Sequence, residues 1–243
     1  MRGYLIFGDI NTLDHDIYVS AGKTFKSASR EYETVKIPGR DGELIVKNDR
    51  YDDYEIEYPA FTFGTSRDEF RKRVGDIRNA MGSQTGYQKL WDSYDPELYR
   101  LAFFKGGVEP DAATFLKAGT FSLKFQCHPH RYLRGGDEEV EYSSNGFINN
   151  PTNFVAKPLI RVVGHGTLGV GDYNVTIQGD SGTITYIDCD VMEAYGIING
   201  AKISRNGYVT TGSNFPALPP GKSGVALGTG ISAVTITPRW WTL

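Results

Sequence analysis

The chain has 243 residues, of which 40% are hydrophobic, and carries a formal net charge of −3. This length suits one large domain or two of modest size, and the apolar fraction is sufficient for a hydrophobic core. The weak negative charge excludes a general attraction to nucleic acid or to anionic membranes. No apolar run approaches the roughly 20 residues of a membrane span, and the N-terminal run is too short for a signal peptide.

Composition points to β-structure. Twenty-nine glycines accompany 15 tyrosines and 13 phenylalanines, a mixture that favours short strands and tight turns over helices. The two cysteines, Cys127 and Cys189, lack the spacing of a disulfide framework or a zinc site. So sparse a pair fits assembly in a reducing cytoplasm. We therefore expect a mainly β protein without a structural metal or cofactor.

Charge is distributed unevenly and predicts a domain boundary. Residues 1–141 hold 20 Lys/Arg and 24 Asp/Glu, whereas the remaining residues hold 6 and 5. The change coincides with a segment rich in serine, asparagine, glycine and proline. The sequence therefore predicts a first domain over 1–141, a linker over 142–153 and a second domain over 154–243.

The first domain opens with short strand patterns, and residues 32–46 then predict a β-hairpin. Val35 and Ile37 place apolar side chains on one face of the first strand, and Leu44 begins the second run. Between them lie Pro38-Gly39 and Asp41-Gly42, the residue types that turns require. Two strand-like runs joined by about five such residues are typical of a hairpin with a structured tip. A plain surface turn is the simpler interpretation of the same residues.

A helix is predicted after the next strands. Ser66 and Glu69 form a capping-box pattern, and an apolar stripe follows at helical spacing, made of Phe70, Val74, Ile77 and Met81. Arginines 67, 71 and 78 lie beside this stripe. They indicate either an edge that faces a phosphate or another subunit, or a solvated rim over the core.

A long alternating strand ends in Cys127-His128-Pro129-His130. Metal ligation by these residues is disfavoured, because neighbouring positions on a strand point to opposite faces. Beyond it, strand patterns recur at short intervals over about 100 residues, as in an antiparallel β-sandwich.

Motifs for chemistry are weak in the second domain. Residues 164–169 match G-x-G-x-x-G, but β-forming residues follow where a dinucleotide site needs a helix. Asp188 and Asp190 share a strand face and could contact a cation or a sugar, although exposed acids at a strand end are common. No nucleophile elbow, P-loop or catalytic histidine arrangement occurs, so the sequence argues against an enzyme.

Six segments, in order, resemble those of the distal tail protein of long-tailed bacteriophages. They are Ile37–Leu44, Phe125–Tyr132, Lys157–Ile160, Ile184–Asp190, Asn214–Gly221 and Ile236–Trp241. The resemblance implies a hexameric ring at the distal end of the virion tail, assembled in the host cytoplasm. It implies a β-barrel or sandwich-like first domain with one helix that forms the ring, and a galectin-like β-sandwich as second domain.

The same resemblance implies the partners. The ring would join the tail tube protein to the tail-associated hub protein and offer a platform for a receptor-binding protein, while DNA passes the lumen without specific binding. Because a ring needs two different surfaces on each copy, we predict that the hairpin contacts the neighbouring subunit. The candidate interface residues are Ile37, Pro38, Gly39, Arg40, Asp41, Gly42 and Leu44.

Two other function classes stay open. The second domain could be a carbohydrate-binding module for the host cell wall, with an exposed Trp240 or Trp241 stacking on a sugar. A wall hydrolase is the third class, but no acid pair stands at a suitable spacing.

Overall fold

The computed structural model describes residues 3–20, 26–64, 66–108, 118–212 and 214–243. The chain forms two compact units, Met1–Arg131 with Leu243, and Tyr132–Thr242. Among the described residues, no helix combines the length and apolar character needed to cross a bilayer.

The described residues of the first unit form antiparallel strands and one α-helix. In chain order they are β1 Leu5–Phe7, β2 Ile10–Asn11, β3 Ile17–Val19, β4 Arg30–Lys36, β5 Glu43–Tyr51, β6 Tyr54–Phe63, α1 Arg67–Gly82, β7 Gln88–Asp92, β8 Leu98–Phe104 and β9 Ala118–Leu133, with a 3-10 helix at Thr12–His15. The main sheet follows the order β2-β1-β7-β8-β9-β6-β3. It curls, because Gly3 before β1 bridges to Val19 at the end of β3.

Strand alternation explains the core of this unit. Every second side chain of β6, from Tyr54 to Thr62, is buried, and β9 repeats the pattern from Phe121 to Cys127. Helix α1 covers this face with Val74, Ile77 and Met81. Its N-cap confirms the predicted start, since the Ser66 hydroxyl accepts a hydrogen bond from the Glu69 amide at 3.2 Å. Phe70, the first residue of the stripe, is only partly buried.

A buried ion pair lies within the same core. Arg100 and Asp92, which are 2% and 0% exposed, approach to 3.4 Å. The Tyr58 hydroxyl donates to Asp92 at 3.0 Å, and the Arg100 Nε donates to the Tyr54 hydroxyl at 3.1 Å. Burial raises the pKa of both phenols, so these groups are hydrogen-bond partners rather than titrating groups near neutral pH.

The second unit is an antiparallel β-sandwich. Its strands are β10 Val140–Tyr142, β11 Gly146–Asn150, β12 Leu159–Gly164, β13 Gly166–Val170, β14 Tyr173–Ile177, β15 Ile184–Asp188, β16 Glu193–Ile198, β17 Ala201–Ser204, β18 Val209–Thr211, β19 Gly221–Leu227, β20 Ile231–Thr237 and β21 Trp241–Thr242. One sheet has the order β10-β20-β12-β15-β16-β17 and the other β11-β19-β13-β14-β18. Aliphatic residues of both sheets form one core. The predicted mainly β fold is confirmed, and the galectin-like topology stays a prediction.

The division between the units differs from the expectation based on charge. It falls after Arg131, within β9, whereas the sequence places the boundary at 141. The predicted linker, residues 142–153, contains β11, which pairs with β19 along its whole length. Asn150 is buried and donates to the carbonyls of Phe154 and Leu218 at 2.8 and 2.9 Å. This segment is therefore rich in turn-forming residues and yet contributes a strand to the β-sandwich.

Candidate assembly interface

The hairpin of β4 and β5 is a two-stranded sheet of its own. Thr34 lies opposite Ile45, and Val35 lies opposite Leu44. Within the part of the chain that the structure describes, neither strand pairs with a third. Two-stranded hairpins are marginal alone in water, so this one depends on a further surface for full stability.

The tip is a defined turn. The Arg40 amide donates to the Ile37 carbonyl at 3.2 Å, with Pro38 and Gly39 at the two central positions. Gly39 has φ 78°, which makes this a type II turn. Gly42 also has positive φ, at 84°. A Cβ at either glycine would meet no atom within 4 Å, so backbone conformation rather than packing requires glycine there.

Both faces of the hairpin expose aliphatic side chains. Residues directly opposite in an antiparallel pair share a face, so Val35 and Leu44 lie on one face and Ile45 on the other. Leu44 is 49% exposed and Ile45 is 61% exposed. The exposed apolar residues of the hairpin are Tyr32, Val35, Ile37, Leu44, Ile45 and Val46. A hairpin that served only as a surface turn would not need apolar groups on both faces.

Charged residues on the hairpin pair with each other. Lys36 and Glu43 approach to 3.8 Å near the tip, and Glu31 and Arg50 approach to 3.2 Å near the base. Exposed pairs of this kind contribute about 0–1 kcal/mol. They place charges near both ends of the hairpin, and Glu33 adds a further exposed charge in the middle, directly opposite Val46.

The hairpin is rooted against the end of β9. The Tyr87 hydroxyl donates to Asp53 at 2.7 Å, and this hydrogen bond raises the pKa of Tyr87 to about 12. A pocket of about 520 Å³ at the root is lined by Arg50, Tyr51, Asp53, His128, Pro129 and His130. The histidine rings lie 4.9 Å apart, whereas Cys127 is buried in the core. Across the described ranges, no group of three His, Cys, Asp or Glu residues could hold a metal.

An aromatic patch lies at the opposite end of β6. We define it as Tyr18, Phe61 and Phe63. The rings of Tyr18 and Phe61 stack at 5.6 Å, and those of Phe61 and Phe63 meet edge-on at 5.4 Å. Phe63 is 46% exposed. Arg73 lies at the border of the patch, where it pairs with Asp16 at 3.0 Å and donates to the Phe63 carbonyl.

The glycine motif of the second unit is a strand connection. It joins β12 to β13, and no helix follows it. A Cβ at Gly164 would lie 2.1 Å from the Gly230 carbonyl oxygen, and one at Gly166 would lie 2.4 Å from that of Thr229. Close backbone approach therefore requires these glycines.

The two C-terminal tryptophans are not free to stack on a sugar in the way that the carbohydrate-binding hypothesis requires. Trp240 is 6% exposed and packs in the sandwich core, so the expectation of an exposed ring there is wrong. Trp241 stacks on Phe154 at 4.4 Å, and its indole donates to the Val155 carbonyl at 2.9 Å. Both rings have partners within the second unit, because the C-terminal aromatic residues fold onto the sandwich.

The acidic pair also has partners within the second unit. Arg239 donates to both oxygens of Asp188, at 2.7 and 3.0 Å, and Lys157 lies 3.3 Å from Asp190. Asp188 is partly buried, which opposes ionisation, but the hydrogen bonds and charge of Arg239 lower its pKa overall. These ion pairs account for the two carboxylates without a bound cation or sugar.

Sequence reasoning located the hairpin and its tip but missed part of the surface. All seven candidate residues lie on the turn or next to it, yet Ile45, the most exposed aliphatic side chain of the hairpin, is outside that set. The signal was present, because three consecutive apolar residues in a strand must occupy both faces. The aromatic patch depends on the pairing of β3 with β6, which sequence periodicity does not reveal.

Residues 11–127 match the family model of the phage tail protein RIFT-related domain. The Dit (gp 19.1) protein of phage SPP1, described as a paradigm of the hub adsorption apparatus in phages infecting Gram-positive hosts, is similar over 100% of both chains, with 16% identity and a TM-score of 0.70. Baseplate structures of phage p2 in the activated conformation, with calcium and with strontium, contain a chain that is 11% identical over 97% of both chains, with TM-scores of 0.53 and 0.54. No curated protein sequence matches. Residues 11–127 are thus similar to the phage tail protein RIFT-related domain, and the whole chain shares the fold of the SPP1 Dit protein.

Proposed function

We propose that this chain is a structural, non-catalytic component of the tail tip of a long-tailed phage. In this role it forms a hexameric ring at the distal end of the virion tail. The ring joins the tail tube protein to the tail-associated hub protein and supports the parts that recognise the host. The relatives support this role, since one is described as part of a hub adsorption apparatus and others belong to baseplates.

One observation carries the proposal, namely an apolar hairpin whose two strands pair with no third strand among the residues that the structure describes. Its six exposed apolar residues are distributed over both faces of one small element, and exposed apolar groups concentrated in this way mark interaction sites. A projecting element that contacts a different surface on the next copy creates a head-to-tail contact, and such contacts generate rings when the rotation closes. The hairpin therefore suits a ring subunit better than an isolated protein.

The lumen of such a ring must pass DNA without retaining it. Retention of a duplex depends mainly on lysine and arginine neutralising phosphates. The chain carries 26 basic and 29 acidic residues, so its overall charge does not favour duplex binding. Salt-sensitive binding of a DNA duplex by the purified ring would contradict this part of the proposal.

The solution mass of the purified full chain tests ring formation. Six copies of a 26.9 kDa chain give about 160 kDa, and electron micrographs of the same sample should show sixfold particles. Immunogold labelling of intact virions should place the chain at the free end of the tail. Labelling of the head, or of the tail away from its end, would overturn the proposal.

A matched pair of variants tests the role of the hairpin. Removing residues 38–42, or replacing Leu44 by lysine, should abolish the six-copy species, because both changes disrupt the proposed contact. Val191 is 61% exposed and lies in the second unit, so Val191→Lys is the control and should leave the mass unchanged. An intact ring after the deletion would show that the hairpin is not the contact.

A further inference from the structure

The hairpin and the aromatic patch lie at opposite ends of one strand. The chain leaves the hairpin at Tyr51 and enters β6 at Tyr54, whereas the patch includes Phe61 and Phe63 near the last residues of β6. Ten residues of strand separate the two ends by about 30 Å. A head-to-tail ring requires two distinct surfaces on different sides of each subunit, and this separation provides them.

The two surfaces have complementary character. One hairpin face presents Val35, Leu44 and Val46, which are small to medium aliphatic side chains. The patch presents three aromatic rings in mutual contact, bordered by the charged Arg73. An apolar centre with a charged rim is the usual anatomy of a protein interface. The three aliphatic residues of this hairpin face are 46%, 49% and 40% exposed, so each has apolar surface left to bury in a contact.

A second exposed aromatic pair fits the receiving role less well. Tyr87 and Phe103 contact each other at 5.7 Å, but Tyr87 bonds to Asp53 beside the root of the hairpin of its own chain. This hydrogen bond holds the Tyr87 ring at the root of its own hairpin, whereas the patch at the far end of β6 is well separated from that hairpin.

We propose that the Val35–Leu44–Val46 face of each hairpin docks on the Tyr18–Phe61–Phe63 patch of a second copy of this chain. This inference rests on the proposed ring and deepens it by naming the receiving surface. Ile45 lies on the other hairpin face and remains available for a different contact.

Cysteine cross-linking in trans tests the contact. The chain's own thiols, Cys127 and Cys189, are buried, and burial raises the pKa of both to about 12, so their background reactivity is low. Purified Leu44→Cys and Phe63→Cys chains are mixed and oxidised, because a disulfide between separate chains reports only intermolecular proximity. The matched control replaces Leu44→Cys by Ile45→Cys, and each single variant is also oxidised alone.

We expect the Leu44→Cys and Phe63→Cys mixture to give about tenfold more covalent dimer than the Ile45→Cys control, since a disulfide needs Cβ atoms about 4 Å apart. Equal yields from chains that retain a six-copy mass would overturn the docking site and leave the ring intact. A monomeric mass without cross-linking would overturn both proposals. Phe63→Lys provides a second test, and the docking site is wrong if that variant keeps the six-copy mass with an unchanged unfolding midpoint.

Discussion

The first unit contains two antiparallel strand pairs of opposite character. Strands β6 and β9 pair over ten positions and bury alternate side chains against α1. Strands β4 and β5 also pair along most of their length, with one register shift between Arg30 and Tyr32, yet their aliphatic residues remain exposed. Apolar residues thus form the hydrophobic core in the β6–β9 pair, whereas they form an exposed surface in the β4–β5 pair. The comparison teaches that apolar alternation identifies a strand but not the partner that covers it.

The largest loss of stability should follow from breaking the buried Arg100–Asp92 ion pair in the core of the first unit. Arg100→Met leaves the Asp92 carboxylate buried without its cation, which costs about 3–5 kcal/mol. Denaturant unfolding of the full chain should show this loss in the transition of the first unit. The double variant Arg100→Met with Asp92→Asn removes both charges and should recover much of the stability. An effect of the single variant below about 1 kcal/mol would show that the charge is solvated.

Two leucines provide the direct test of the comparison. Leu123 in β9 is fully buried, whereas Leu44 in β5 is 49% exposed. Leu123→Ala should lower the free energy of unfolding by about 2–5 kcal/mol, because it leaves a cavity. Leu44→Ala should change it by less than about 0.5 kcal/mol in dilute, unassembled chain. Similar losses at both positions, measured by urea titration, would mean that the hairpin packs against its own chain.

The Asp188–Arg239 pair predicts acid sensitivity of the second unit. The folded carboxyl has a pKa below its ordinary value, so its stabilisation is complete above about pH 4 and is lost as the pH falls through the folded pKa. Asp188→Asn should therefore cost about 1–2 kcal/mol at pH 7. This difference from the unmodified chain should shrink in unfolding curves recorded at progressively lower pH. A difference that stays constant with pH would exclude the carboxylate as its source.

The smallest effect concerns Gly75 in α1. A Cβ at this position would meet no atom within 4 Å in the chain, so Gly75→Ala should stabilise the helix by about 1 kcal/mol. Thermal unfolding of the isolated chain measures the gain. If the same variant no longer forms a six-copy species, Gly75 lies at a contact with a neighbouring copy, as we propose for the hairpin. A lower unfolding temperature of the isolated variant would show that a Cβ at position 75 clashes within the chain.

Local signals in the sequence predicted much of the fold. The N-cap at Ser66 and the stripe through Met81 define α1, and the type II turn follows from Pro38-Gly39. Contacts between residues that are distant in sequence could not be predicted in this way. Arg100 and Asp92 look like surface charges in sequence, because only the sheet order brings them together inside the core.

The candidate site shows the same limit. The tip of the hairpin was predictable because its chemistry is contained in consecutive residues. The receiving patch was not, since Tyr18 and Phe61 are distant in sequence and meet only through the pairing of β3 with β6. Charge density predicts a boundary at 141 because it reports surface composition, whereas the division into compact units after Arg131 depends on which strands pair.

The cross-strand ion pairs of the hairpin have a consequence for newly synthesised chains. An exposed strand edge with apolar side chains can add to the edge of any other extended polypeptide, which leads to precipitation. The Glu31–Arg50 and Lys36–Glu43 pairs place charges at both ends of this hairpin, and charged edges discourage such stacking. These four side chains should therefore keep the isolated chain from precipitating. Replacing them with apolar residues should lower the concentration at which the purified chain aggregates.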